Sequence, residues 1–426
     1  MEGLGFAKSK EYWIRFGWGI LLGLLSALGA FIFVAIMDFG IDLLWPEPPD
    51  PAYFSGSWQI VVIMTVGGFL VGLLYQFTNA REINPFVSMV KGDLDTRPVP
   101  AGVLVSLITL VSGFSLGPEI PAGMIAAGLS DWVSKWRNLQ EEVRKSNIVS
   151  GVVAAYSGVF TSPLAILVIP LELPHMQSLA YYSVLIIAAA AGVIGFIVFF
   201  LGGGFEFSGM LRLLDLPEYN LEIWHIAVGI LLGIVGALLT MIYGLMRKGL
   251  NTLVKPLNRM PIVRSTLGGL LLGLLAMALP LTLFLGSGAL VVVTENAAEL
   301  GVTLLIIYVF AKMLATAGAQ STGFIGGPIF PMFFIGGTAG TVVHLLFPQI
   351  PIALAVSCMM AAVPAALLPI PISLGLLTML IAGLSILDAV PVFVAALTGF
   401  LVVQGLGLIK PDPPEKKEDQ EPSREE

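Results

Sequence analysis

A single cysteine, Cys358, has no partner for an intrachain disulfide and no companion thiolate for a metal cluster. Three histidines, His175, His225 and His344, lie far apart in the chain, so a His-x-x-x-His zinc pair is missing too. No metal and no cofactor is therefore expected. Charge is the next scarcity. Asp, Glu, Lys and Arg make up 12% of the 426 residues, against roughly a quarter in an average soluble domain. Between Met313 and Leu387 none of the four occurs, and between Arg97 and Asp131 the only ionisable side chain is Glu119. The net charge of −7 is a poor guide to partners, because much of it sits in the tail after Lys410. No nucleic-acid partner is expected.

What fills the chain is apolar: 57% of it, in continuous runs rather than in the alternation of a β-barrel. Backbone groups in lipid must be satisfied within each segment, so these runs are expected to be helices. The length admits about a dozen or more membrane segments of roughly 20 residues, some of them shorter and re-entrant. The expected class is an all-α polytopic membrane protein lying in the bilayer of the cell (inner) membrane.

Inside that apolar sequence, Gly117-Pro118-Glu119-Ile120-Pro121 stands out. A carboxylate near a bilayer centre costs about 2.5–3.5 kcal/mol on the more lenient insertion scale, so Glu119 needs a physical reason. Gly and Pro interrupt the preceding run, and Pro suits a first helical turn because it has no N–H to leave unpaired. A helix starting there aims free backbone N–H groups and a partial positive charge into the protein interior. That arrangement is an anion site, and Glu119 is placed to fill it when no soluble anion does. The G-P-x-x-P spacing returns in Gly327-Pro328-Ile329-Phe330-Pro331, displaced by 210 residues. Pro163 and Pro371 form a second match at an offset of 208. Gly/Pro-interrupted apolar segments at corresponding positions of two halves point to a transporter with broken helices near its midplane. The halves differ where Ile329 stands in the place of Glu119.

The expected organisation is a cytoplasmic N-terminus (1–15), a first transmembrane half (16–204), a linker (205–222), a second half (223–409) and a disordered charged tail (410–426). The basic residues Lys8, Lys10 and Arg15 put the N-terminus on the cytoplasmic side. No cleavable signal peptide is expected. Residues 78–99 read as a short re-entrant or interfacial helix, 134–146 as a charged connection, and 286–299 as a polar break. Small-residue stretches at 188–195 and 395–399 offer faces for close helix packing between subunits.

With these segments in order, the chain resembles the CLC family of chloride channels and chloride/proton exchangers. Leu116-Gly117-Pro118-Glu119-Ile120-Pro121 is similar to the family's G-x-E-x-P gating loop, and Gly327-Pro328-Ile329-Phe330-Pro331 to its G-x-F-x-P loop. Phe160-Thr161-Ser162-Pro163-Leu164-Ala165, running on to Glu172, resembles the F-x-A-P segment that ends in an acidic residue. Arg97-Pro98-Val99 and Gly286-Ser287-Gly288 fit two of its turns. The resemblance implies a homodimer, each subunit holding its own anion path between two inverted-topology halves. It implies Glu119 as the gate, and Gly117, Glu119, Ile120, Ala122, Ile329 and Phe330 as the groups around the anion, chloride or a similar small one. The family's pore serine falls within Ile83-Asn84-Pro85-Phe86-Val87, where Asn84 or Ser88 takes its place. The family's pore tyrosine is missing from Asp412-Pro413-Pro414, and Leu173 occupies the place of an exchanger's second acid. Glu172 and His175 are the nearest groups left for a proton route. The resemblance thus implies channel-like anion transport without tight proton coupling; the alternative is a chloride/proton antiporter.

Two further classes fit the residues less well. A carrier of a larger organic or cationic substrate needs several intramembrane polar groups, and this chain supplies few. An intramembrane enzyme needs a Ser/His pair, two buried aspartates or a zinc site; none is evident, and no enzymatic activity is expected. Glu119 has a plainer reading as a cap at its helix start, as do Asn84 at a turn and Glu172 beside His175 at an interface.

Overall fold

Backbone hydrogen bonding within each segment is met by sixteen α-helices among the described residues. The computed structural model describes residues 8–45, 56–173, 180–203 and 213–407. In chain order the first eight are α1 (Lys10–Leu44), α2 (Trp58–Phe77), α3 (Pro85–Lys91), α4 (Val99–Val111), α5 (Glu119–Trp136), α6 (Glu141–Val159), α7 (Pro163–Glu172) and α8 (Ala180–Gly203). The second eight are α9 (Ile223–Val254), α10 (Pro261–Ala278), α11 (Ser287–Glu295), α12 (Ala297–Thr322), α13 (Ile329–Leu346), α14 (Ile352–Leu367), α15 (Pro371–Ile381) and α16 (Val390–Gly405). Among the described residues, seven helices are long and apolar enough to cross a membrane. Large apolar side chains such as Leu21, Ile32, Leu231 and Leu271 face outward, while Glu119, Asp131, Lys312 and many Ser and Thr are buried. This distribution, apolar outside and polar within, is that of a multi-pass integral membrane protein.

Matching features recur at corresponding points of the two sets of eight. α5 and α13 each have 18 residues and begin after a Gly-Pro pair. Where they begin, residues meet their own copies. Gly117 and Gly327 exchange reciprocal N–H···O bonds of 2.8 Å as an isolated antiparallel bridge. Phe114 stacks on Phe324 with ring centroids 3.7 Å apart. Gly113 and Gly323 both adopt positive φ, +86° and +98°. An antiparallel pairing of equivalent residues is the local mark of two segments related by a two-fold rotation. The repeat is therefore longer than the G-P-x-x-P spacing alone: it begins at the Gly-Phe pairs 113–114 and 323–324.

Local chemistry sets the short helices. Asn84 caps α3, its Oδ1 accepting from the amides of Phe86 (3.0 Å) and Val87 (3.3 Å), with Pro85 in the first turn and Gly92 closing the far end at φ +70°. Ser162 caps α7 by accepting from the Ala165 amide at 3.3 Å. Its counterpart Ile370 has no side chain able to cap α15.

Several sequence expectations need correction. Residues 134–146 are mostly helical: α5 runs to Trp136 and α6 begins at Glu141. Charge there is paired rather than looped out. The buried carboxylate of Asp131 lies 2.7 Å from Lys135 Nζ, which also reaches Asp93 (2.9 Å) and the Leu94 carbonyl (2.7 Å). The polar break at 286–299 contains α11 and the first residues of α12, interrupted only by Asn296; the non-helical Gly301 comes just after it. The small-residue stretches are spent within the chain. Ala188, Ala191, Ala395 and Ala396 are fully buried, a side chain at Gly195 would collide with the Ala154 backbone, and one at Gly399 with Ala362. Close packing there is between helices of one subunit.

Candidate functional site

The bridge between Gly117 and Gly327 brings the first turns of α5 and α13 face to face. A helix start leaves its first N–H groups without partners inside the helix, and two such starts converging concentrate partial positive charge. Glu119, fully buried, lies between them. Its Oε1 accepts from the Ile329 amide at 2.7 Å. The amides of Phe330 and of Glu119 itself also face the carboxylate, while Oε2 has no hydrogen-bond partner. The seat is tight. A Cβ on Gly327 would overlap the Glu119 carboxyl group, and one on Gly117 would overlap Oε2 and approach Phe330 to 2.7 Å. Glycine is required at both positions because the carboxylate occupies the volume a side chain would need.

The expected ligand set is thereby divided. Glu119, Ile120, Ile329 and Phe330 lie in the two facing first turns. Gly117 and Ala122 do not offer free amides: the Gly117 N–H is used in the bridge and the Ala122 N–H donates to the Pro118 carbonyl at 2.9 Å. Asn84 is exposed, with its Oδ1 engaged in capping α3. α3 nevertheless approaches the site, since Pro85 packs where a side chain at Gly123 would be, one turn along α5 from Glu119. Glu172 belongs elsewhere. Its carboxylate accepts from the amides of Ile372 (2.6 Å) and Ser373 (2.8 Å) and from the Ser373 hydroxyl (2.6 Å), closing the open end of α15. The sequence expectation placed a proton route at this carboxylate; the structure shows it as the cap of α15. His175, the other group of that route, lies outside the described residues, as do the tail at 410–426 and the Gly at 204.

Two buried polar groups escaped the sequence reading. Lys312 is fully buried, and its ammonium donates to the carbonyls of Leu281, Thr282, Leu283 and Phe284 at 3.4, 3.1, 2.9 and 2.8 Å. It also stands 5.0 Å from the Phe334 ring centroid. The lysine therefore ties the turn after α10 to α12 and α13. Its position as the last charge before the charge-free stretch was the available signal. Tyr156, on α6, is the other: 1% exposed, with no partner for its hydroxyl.

Converging helix starts, a carboxylate seated between them and an apolar exterior define a membrane transport protein with a buried anion-type site. The chain belongs to the CLC family: the family model described as "Voltage gated chloride channel" matches residues 67–404. It is 25% identical over 372 residues to the chloride channel protein CLC-e of Arabidopsis thaliana, covering 79% of this chain and 50% of the plant protein. The chain thus spans half the length of that relative. Its fold is similar to that of a slow cyanobacterial Cl-/H+ antiporter, with a TM-score of 0.77 at 20% identity over 92% of this chain and 95% of the other. A CLC-type fluoride/proton antiporter gives a TM-score of 0.73 at 19% identity over 92% and 95%.

Proposed function

We propose that the chain carries chloride, or a similar small anion, along a path that passes between the starts of α5 and α13 and is closed by Glu119. The carrying observation is the 2.7 Å bond from the Ile329 amide to Glu119 Oε1, with Oε2 left without a partner. A carboxylate held by backbone amides occupies the position a dehydrated anion takes, so the two compete for one set of donors. An incoming anion displaces the side chain, and the seat closes again when the anion leaves. The two halves, 16–204 and 223–409, act as one scaffold around this position, with 205–222 as the connection between them.

Transport is proposed to be channel-like. Leu173, with no proton to exchange, is buried at the end of α7, and Glu172 is engaged in capping α15. The second reading is an antiporter, favoured by the proton coupling named in both structural relatives. A homodimer is proposed on the outward-facing apolar residues of the shorter helices, Leu164, Leu171, Ile372 and Leu401, which mass photometry in lipid nanodiscs checks.

The test is flux in reconstituted vesicles with opposed chloride and pH gradients. The expected zero-flux voltage follows chloride alone; a fixed shift with pH establishes the antiporter. Glu119→Gln is expected to change chloride flux at least tenfold and to abolish its dependence on pH. Unchanged flux and pH response in a folded Glu119→Gln protein would reject the gate.

A further inference from the structure

The end of α5 farthest from Glu119 carries an arginine that no other side chain neutralises. Arg137 follows the last residue of α5. Its guanidinium carbon stands 5.8 Å from the Trp18 ring and 5.7 Å from the Trp136 ring. A guanidinium stacks well on indole faces, being planar and weakly hydrated. The neighbouring cations are already engaged: Arg15 pairs with Glu142 at 3.2 Å, and Lys135 with Asp131 and Asp93 at 2.7 and 2.9 Å. Among the described residues the Arg137 guanidinium has no ion pair and no hydrogen bond. Its N–H fork, which matches two oxygens of one phosphate, is held in place by rings that offer it no acceptor.

The same two helices shape what lies inward of the arginine. α1 and α5 run antiparallel against each other: a Cβ on Gly29 would come within 2.9 Å of Ile125, Ser26 Oγ lies 3.3 Å from Ser130 Oγ, and Trp18 meets Arg137. Starting from Trp18, the helical period sets Leu21, Leu25, Leu28 and Ile32 along one stripe of α1, and all four are exposed. On α5, Trp132 and Trp136 stack at 6.3 Å and 8° and are 56% and 68% exposed. The stripe from residue 18 to 32 is about 20 Å long at 1.5 Å per residue. That is enough for an acyl chain in its own half of a hydrocarbon core roughly 30 Å thick. Tryptophans gather at the headgroup level of membrane proteins, so a phosphate on Arg137 and a chain on the leucine stripe fit one molecule. The headgroup is selected as well. An indole pair attracts a choline or amine cation, but here Arg137 already fills the space between the rings, and a second cation is repelled. The exposed Glu11 and Glu141 at this end each have a lysine at hand, Lys10 and Lys145. We propose that the groove between α1 and α5 binds an anionic phospholipid, its phosphate on Arg137 between the two indoles and its acyl chain along the leucine stripe. The site lies apart from the proposed anion path and stands without the transport reading.

The full chain is reconstituted in vesicles of four parts phosphatidylcholine to one part phosphatidylglycerol, extracted in mild detergent, and its retained lipid counted by native mass spectrometry. Wild type is expected to enrich phosphatidylglycerol about fivefold over the vesicle ratio, and Arg137→Gln to lose that enrichment. Lys255→Gln, which removes an exposed cation from the connection between α9 and α10, is expected to keep it. Brominated phosphatidylglycerol should also quench tryptophan fluorescence more than brominated phosphatidylcholine in wild type, and equally in Arg137→Gln. Equal retention and equal quenching by the two lipids in wild type overturn the proposal, as does an enrichment that survives Arg137→Gln. Equal loss in Arg137→Gln and Lys255→Gln marks a diffuse attraction to basic residues and overturns the site. Crosslinking between copies through Trp132→Cys would put a second chain on this groove and overturn it too.

Discussion

Two glutamates of the first half each reach across to a broken helix of the second. Glu172 meets the start of α15, where it accepts from two amides and a hydroxyl and leaves neither oxygen unpartnered. Glu119 meets the start of α13, where one oxygen is bonded and the other has no partner. Sequence and position look alike, yet the two are different devices. A carboxylate with every oxygen satisfied is a cap, and moving it exposes three donors at once. A carboxylate half satisfied in a seat shaped by two glycines is poised to leave. The second half has lost its own polar groups at both points, Ile329 opposite Glu119 and Ile370 opposite Ser162, so its helix starts depend on the first half. The symmetry builds the frame; its failure at these positions is what sets the two carboxylates apart.

The most severe way to break this comparison is Gly327→Ala. The added methyl would overlap the Glu119 carboxyl group, so the side chain is expected to be expelled and the Ile329 amide freed. Vesicle efflux should then rise at least tenfold and lose its pH dependence, whereas the same methyl placed at the exposed Gly244, which has nothing within 4 Å, should change nothing.

Lys312→Met is expected to rank next, through stability rather than gating. Four carbonyls that now share an ammonium would be left without a donor, and each buried unsatisfied group costs roughly 1–3 kcal/mol. Thermal unfolding in detergent should shift down by well over ten degrees, or folded protein should fail to accumulate. Lys312→Arg retains the charge but not the shape of the carbonyl cup, and an intermediate loss is expected.

The smallest effect is expected at Asp93, on the turn between α3 and α4. Its hydrogen bond to Lys135 holds the carboxyl below its usual range, helped by the charges of Lys135 and Arg144 and opposed by partial burial. A depressed value in the folded state means that the contribution is present above the unfolded carboxyl value, roughly pH 4, and is lost as pH falls through the folded one. Asp93→Asn should therefore lower the melting temperature slightly at neutral pH and not at all in acid. Exposed pairs of this kind contribute about 1 kcal/mol or less.

Much of this was legible in the sequence. Glu119 announced itself as the only charge in a long apolar stretch, and the Gly-Pro spacing located its partner helix 210 residues away. The short helix α3 was visible because Asn, Pro and Gly sit at its two ends. What stayed hidden depends on contacts between distant segments. No spacing rule says that Gly117 and Ala122 have already used their N–H groups, or that Glu172 would reach an amide 200 positions further on. The charged residues of 134–146 hid a helix because Asp131, Lys135, Asp93 and Arg144 neutralise one another across three elements. Tyr156 carries no signal, since a lone polar residue in a hydrophobic helix has no pattern to belong to, and Lys312 is marked only by its place just before the charge-free stretch.

The Gly117–Gly327 bridge bears on time as well as on shape. A carrier that exposes its site by rocking one repeat against the other needs that seam to slide, commonly over microseconds to milliseconds. Here the seam runs beside the proposed gate and is fastened by two backbone bonds of 2.8 Å, so a rocking motion that slides it would have to break both at each turnover. Swinging one carboxylate breaks neither. In the proposed gate the moving mass is then a few atoms rather than half a protein, and its clock is that of side-chain rotation in a frame that holds still.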